Sequence, residues 1–410
     1  MIAEARHGQS PSRDGGLDRL HVHGHGAGST LVVVAFAIAM MGTTLPTPLY
    51  PLYEREFHLA PVLTPVIFAS YAVGVIGALL FLGYLSDEIG RRRMMLPALV
   101  LSAMSAATFL LADGLAALLL GRVLSGLSSG IASGAATAWL VDLAGKEKKQ
   151  RATMLAVGAN LGGLSVGPLL SGALASFGPS PLRSPFVVDL VLLVPAAIGV
   201  MAAPETVKVA RPHVHLRMQA MRVPSEVKDL FPRAAVAGVC AFAVAGVFNA
   251  VAPGFLGKEL SHPRPIESGL LVFLFFATAA AGQVVVDRLP KRVGLGIGCG
   301  VLIAGLAALA LALATHSTAL LFVSGAASGL GQGMAVGFGL AGINERLGDK
   351  KGETDSAYFV LLYLGVALPV IGVGFAVPAI GMITAGLIFC GVVGASVLVV
   401  LLTMGKKGSQ

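Results

Sequence analysis

The chain has 410 residues, 55% of them hydrophobic and only 12% charged, with a formal net charge of +8. A soluble chain carries about 25% charged residues, so there is too little charge here to cover a water-facing surface, and lipid must solvate most of the molecule. Cys240, Cys299 and Cys390 each sit in an apolar run without paired spacing, which reads as core packing and not as a disulfide framework or a thiolate metal site.

A membrane-crossing helix needs about 20 mostly apolar residues. Twelve such spans are predicted: 30–50, 62–82, 94–112, 115–141, 152–176, 186–203, 234–256, 267–286, 294–314, 318–342, 355–376 and 380–404. They are numbered span 1 to span 12 in chain order. The predicted layout is a polar tail (1–29), a six-helix bundle (30–203), a polar central loop (204–233), a second six-helix bundle (234–404) and a short tail (405–410). The first apolar run follows the tail and is long enough to span, so no cleavable leader is expected. His7, His21, His23 and His25 in the tail and His213 and His215 in the central loop read as solvated residues. No metal site and no cofactor are expected.

Lysine and arginine alternate with the loops. One set of loops holds Arg91, Arg92 and Arg93, then Lys146, Lys148, Lys149 and Arg151, then the basic central loop, then Arg288, Lys291 and Arg292, then Arg346, Lys350 and Lys351. The opposite loops hold Arg55, Arg183, Lys258 and Arg264. Positive residues stay in the cytoplasm, so both termini are expected there, in a multi-pass protein of a bacterial inner membrane. The same placement explains the net charge without a nucleic-acid partner.

The halves repeat. The run 125–134 in span 4, SGLSSGIASG, matches 328–337 in span 10, SGLGQGMAVG, at an offset of 203, which also carries Asp142 onto Glu345. Equal topology in both halves is a parallel repeat about an axis normal to the membrane, with a binding cavity between the halves near the midplane.

Three local patterns carry more than hydropathy. Between spans 2 and 3 lies Gly83-Tyr84-Leu85-Ser86-Asp87-Glu88-Ile89-Gly90-Arg91-Arg92-Arg93. Gly83 and Gly90 permit a tight loop, and Asp87 is an anion suited to the positive end of a facing helix. Span 4 holds Leu118, Arg122, Ser125, Gly126 and Gly130, and Arg122 is the ionised residue well inside a span. Such a charge costs about 2.5–3.5 kcal/mol on insertion scales and needs a partner, a wet cavity or a route to the interface. Span 5 holds Gly163, Gly167, Pro168 and Gly172, which combine a kink with two places of close helix approach.

Together these resemble the major facilitator superfamily. The loop resembles G-x-x-x-D-R-x-G-R-R with Glu88 at the first arginine. Span 4 resembles L-x-x-x-R-x-x-Q-G-x-G with Ser125 for Gln. Span 5 resembles the antiporter pattern G-x-x-x-G-P-x-x-G-G with Ser171 for one Gly. The resemblance covers about 30–404 and implies an all-α fold of two pseudo-symmetric six-helix bundles. It implies that Asp87 faces span 11, that Arg91 and Arg92 pair with Asp142, and that spans 1, 4, 7 and 10 line the cavity. The polar candidates for substrate or proton coupling are then Thr43, Thr44, Arg122, Asn160, Asn249, Gln332, Tyr358 and Tyr363.

With an otherwise apolar lining, that set points to a proton-linked exporter of lipophilic small molecules, a drug or a secondary metabolite, working by alternating access and without enzymatic chemistry. The expected partners are a small-molecule substrate, lipid and protons, and the expected state is a monomer. An uptake carrier for an organic anion anchored on Arg122 is the first alternative. A non-transporting sensor or scaffold on the same fold is the second.

Overall fold

The computed structural model describes residues 15–82, 85–207, 219, 221–260, 264–286, 288–348 and 352–405. Among these, twelve helices are long and apolar enough to cross a membrane: Gly26–Glu56, Leu63–Phe81, Arg91–Leu110, Leu115–Ala144, Lys149–Phe177, Ser184–Ala202, Phe231–Gly257, Pro265–Val286, Val293–Thr315, Thr318–Leu347, Gly352–Ile380 and Met382–Met404. All twelve expected spans are present, with ends displaced by several residues. One boundary differs more: the helix of span 1 reaches back to Gly15, into the expected tail. Once a span has formed, each further turn adds hydrogen bonds without a new nucleation cost.

The central loop, the loop between spans 4 and 5 and the loop between spans 10 and 11 share one face, called here the linker side. The opposite face is the far side. The repeat at offset 203 is structural. Gly126 and Gly130 of span 4 press on span 2, where a Cβ on Gly126 would strike Tyr71 O and one on Gly130 would lie 2.6 Å from the Ala78 Cβ. Gly329 and Gly333 of span 10 press in the same way on Phe275 O and Ala279 O of span 8. Glycine lets these backbones meet, and in lipid close van der Waals packing supplies much of the helix–helix attraction. Gly134 continues the stripe in sequence but has open space at its Cβ position. Both 30-residue helices end on a glycine at positive φ, Gly145 at 72° and Gly348 at 56°, a conformation that L side chains rarely adopt.

Spans 1 and 7 match in another respect. Span 1 is helical to Thr44, passes through a short 3₁₀ turn at Thr47–Leu49 and resumes at Tyr50–Glu56. Span 7 is helical over Phe231–Ala250 and resumes at Ala252–Lys258. Pro46 and Pro48 sit at the first break and Pro253 just beyond the second. Proline cannot continue the hydrogen-bond ladder of an established helix. The breaks meet across the halves, where Thr47 Oγ1 lies 3.5 Å from Asn249 Oδ1.

The halves join mainly through span 5 against span 8 and span 2 against span 11. The close approaches lie toward the far side: a Cβ on Gly172 would lie 2.5 Å from Pro265 O, one on Gly269 would strike Pro168 O, and one on Gly374 would lie 2.6 Å from Pro65 Cγ.

From the charge bias, the linker side is the face expected in the cytoplasm. Ser180 and Ser225 are both exposed, and the three native cysteines are buried, so a single introduced thiol gives a clean signal. A cysteine at Ser180 is expected to react with an impermeant thiol reagent on intact cells. One at Ser225 is expected to react only after lysis. The opposite pattern inverts the orientation.

Candidate functional site

The site is built around Arg122, eight residues into span 4 and about 10 Å from the far end of that helix at 1.5 Å per residue. Its side chain is 2% exposed. It does not reach out to the membrane surface. Nη1 donates to Thr43 O of span 1 at 2.6 Å, and the guanidinium carbon lies 5.4 Å from the Phe68 ring centre and 5.0 Å from that of Tyr71. The charge is met by a carbonyl dipole and two aromatic rings of span 2, a desolvated cation–π setting. Nε has no hydrogen-bond partner.

From Arg122 the contacts run across the interface. Tyr71 Oη and Ser129 Oγ are 2.7 Å apart, which fixes spans 2 and 4. The Tyr71 ring meets Tyr363 of span 11 edge-on at 6.2 Å, and Tyr363 meets Phe242 of span 7 at 5.6 Å. Arg122 in one half is therefore two rings away from span 7 in the other. Phe68, Tyr71 and Phe242 were not among the sequence candidates. A tyrosine three residues from a phenylalanine at helical spacing in an apolar span was the available signal, but any core stripe gives it too.

The other candidates divide. Thr43 Oγ1 turns back to Met40 O at 2.7 Å, so its carbonyl, not its hydroxyl, meets Arg122. Thr44 Oγ1 donates to Leu164 O of span 5 at 3.0 Å and ties spans 1 and 5 together. Asn249 Nδ2 donates to Ala245 O at 2.8 Å, and its carbonyl oxygen faces Thr47. Tyr358 is fully buried, its hydroxyl 3.4 Å from Ala234 O, so it lies inside the C-terminal half among spans 7, 10 and 11. Gln332 is 5% exposed, and its Oε1 has no hydrogen-bond partner. Asn160 is half-buried on span 5. At the far end of span 1, Tyr50 and Tyr53 are buried with hydroxyls that make no hydrogen bond. Neither was a sequence candidate.

Span 5 works on two neighbours. A Cβ on Gly163 would strike Ala37 O of span 1, and one on Gly167 would strike Met41 O, whereas Gly172 presses on span 8. The helix therefore packs closely on span 1 in its own half and on span 8 in the other.

The linker side of the N-terminal half carries a charge network. Arg91 Nε bonds Asp142 Oδ2 at 2.9 Å and its Nη1 bonds Ser86 Oγ at 2.8 Å, the pairing the resemblance implies. Arg92 instead turns to Met201 O at 2.9 Å. Gly83 and the side chain of Asp87 lie outside the described residues, so the expected contact of Asp87 with span 11 does too. Glu205, just past span 6, was missed. Its two carboxylate oxygens accept from the backbone N–H groups of Arg91 and Arg92, each at 3.0 Å, and so cap the N-terminus of span 3. Gly90, at φ 108°, leaves room for it: a Cβ there would lie 2.8 Å from Glu205 Oε2. Orphan helix donors and a carboxylate are natural partners. Glu205→Gln keeps the shape and removes the charge. It is expected to lower thermal stability in detergent by about 0.5–2 kcal/mol; an unchanged melting curve would show that the cap contributes nothing.

Comparison with known proteins agrees with this architecture. The family model described as Major Facilitator Superfamily matches residues 32–370. The chain belongs to the major facilitator superfamily. The members of that family are membrane transporters. Among curated relatives, Multidrug resistance protein 2 of Bacillus subtilis (strain 168) is 25% identical over 177 residues, 43% of this chain and 44% of that protein. The bacillibactin exporter of the same organism is 29% identical over 147 residues, 34% of this chain and 37% of that one. The chain thus aligns with less than half the length of either relative. A crystal structure of the human organic anion transporter MFSD10 (TETRAN) superposes with a TM-score of 0.66, covering 92% of this chain and 99% of that one at 15% identity, a likeness of fold.

Proposed function

We propose that this superfamily member is a proton-linked exporter of lipophilic small molecules, a drug or a secondary metabolite, in a bacterial inner membrane with both termini in the cytoplasm. The observation that carries the reading is span 5. Its Gly163 and Gly167 meet span 1 and its Pro168 and Gly172 meet span 8, so the antiporter-like pattern reaches from span 1 to the joint between the halves. The two Bacillus relatives, a multidrug resistance protein and an exporter, support export.

In this reading the halves rock about the seams of spans 5 and 8 and spans 2 and 11. Arg122 and Tyr71 on one half and Tyr363 and Phe242 on the other flank the substrate path. Asp87, Arg91 and Asp142 hold the cytoplasmic side when it is closed. An apolar lining with one cation selects neutral, zwitterionic or anionic compounds, because a dication would meet like charge in a poorly screened site. The test is the susceptibility of an efflux-deficient host that expresses the chain, across lipophilic dyes and neutral, anionic and dicationic antibiotics. Resistance is expected for the first three groups and not for the dications. No change for any compound, with the protein present in the membrane, overturns export.

A further inference from the structure

Among the described residues, Asp189 of span 6 is a buried acid outside the cluster around Arg122. It is the sixth residue of the helix from the far side, about 7.5 Å along the axis from the first, and is 1% exposed. Its Oδ1 makes no hydrogen bond. Gly42 of span 1 and Ser102 of span 3 form its surroundings: a Cβ on Gly42 would lie 3.0 Å from Asp189 Oδ2 and 3.0 Å from Ser102 Oγ. Gly42 therefore leaves the space that the carboxyl occupies.

The charged and titratable groups of the neighbouring helices are elsewhere. Span 6 packs on spans 1, 3 and 5. Among the described residues of these, Arg91, Arg92 and Arg93 of span 3 and Lys149 and Arg151 of span 5 stand at the linker end, at the opposite face of the membrane. Span 1 offers no ionisable side chain from Gly26 to Leu49; Tyr50, Tyr53, Glu54, Arg55 and Glu56 follow its break. On its own helix Arg183 precedes the first turn. Arg122 is engaged by the carbonyl of Thr43, the residue next to Gly42. One dipeptide of span 1 thus has a buried acid against Gly42 and a buried cation on Thr43.

We propose that Asp189 is a proton-binding site of the N-terminal half. Its carboxyl holds the proton in the conformation seen here, where no donor or cation reaches Oδ1 to balance a charge. It gives the proton to water when span 1 moves and opens the pocket at Gly42. The same movement pulls on the bond from Thr43 O to Arg122, so proton release and rearrangement of the central cluster occur together. No bond other than O–H is made or broken, and the proton passes from one aqueous phase to the other. The direction of that flux rests on the proposed export; the proton site itself does not.

Two measurements on the full-length chain test it. In lipid nanodiscs at neutral pH, the infrared difference between the wild type and Asp189→Asn is expected to contain a deuterium-sensitive carbonyl band of a protonated carboxyl. A pair of carboxylate stretches in its place overturns the proposal, and a matching melting temperature of the variant excludes misfolding as the cause. In an efflux-deficient host, proton-driven efflux of Nile red by Asp189→Asn is expected to fall at least about tenfold, to the rate of the wild type treated with a protonophore. Unchanged driven efflux in the variant also overturns the proposal. If the wild type moves neither Nile red nor any compound of the susceptibility panel, the export reading fails, and the infrared difference still decides whether Asp189 holds the proton.

Discussion

Gly269→Leu is expected to trap the transporter away from the conformation seen here, with normal insertion and a large loss of transport. A Cβ at this position already strikes Pro168 O and comes within 3.0 Å of Pro168 C, and both belong to backbone that cannot step aside as a side chain can. Overpacking of this kind costs about 1–3 kcal/mol. It acts on the closed far side, where spans 5 and 8 touch, and is relieved when the halves separate there. By the rule that 1.4 kcal/mol is tenfold, the balance moves by roughly 5- to 140-fold toward the state open on the far side. Distance measurements between spin labels at Ser180 and Ser317, on far-side loops of the two halves, are expected to lengthen. Gly126→Leu is the contrast. It adds a side chain against Tyr71 O inside one half, a clash that rocking does not relieve, and should reduce folded yield without that shift. If both variants behave alike, the seam of spans 5 and 8 is ordinary packing and has no gating role.

Arg122→Lys is expected to lose at least about tenfold of transport while expression and melting temperature stay near those of the wild type. The guanidinium holds three things at once: Thr43 O at 2.6 Å, Phe68 at 5.4 Å and Tyr71 at 5.0 Å. A planar fork can donate in its plane and present its faces to rings, whereas an ammonium is a point charge with tetrahedral donors. Lysine keeps the charge and its attraction to the rings but gives up that simultaneous geometry. Arg122→Ala should lose transport as well and gain stability, because an incompletely paired buried charge has been removed. Substrate and proton fluxes are measured together in each variant. A joint fall places Arg122 in the common step. Substrate movement that persists while its pH dependence vanishes gives Arg122 to coupling alone, and wild-type behaviour of Arg122→Lys removes it from the site.

The linker-side network shows how far a motif carries. The sequence 83–93 announced an acid, two glycines and a run of arginines, and Arg91 does meet Asp142 at 2.9 Å. It did not announce Glu205, which lies 114 residues from Arg91 and caps the helix that Arg91 begins. Short-range spacing has no access to a partner brought in by the last turn of span 6. Arg92 had the same motif standing as Arg91, yet it turns to Met201 O, because neighbouring residues on a helix point about 100° apart.

The twelve spans, their division into halves and the repeat at 203 were determined by the sequence alone. Lipid permits few ways to satisfy a backbone, so length and hydropathy nearly suffice, and equivalent glycines mark equivalent packing. Tertiary structure alone decided what each polar side chain touches. It turned the carbonyl of Thr43 toward Arg122, spent Thr44 on span 5, buried Tyr358 within one half and brought Tyr71 beside Tyr363. It also set Asp189 against Gly42, two residues 147 positions apart. The reason is physical: span formation is a local free-energy preference for lipid over water, whereas each of these contacts depends on the rotation and register of two or more helices. In a nearly uniform apolar sequence, small residues fix that register through fit, and fit exists only once both surfaces are in place.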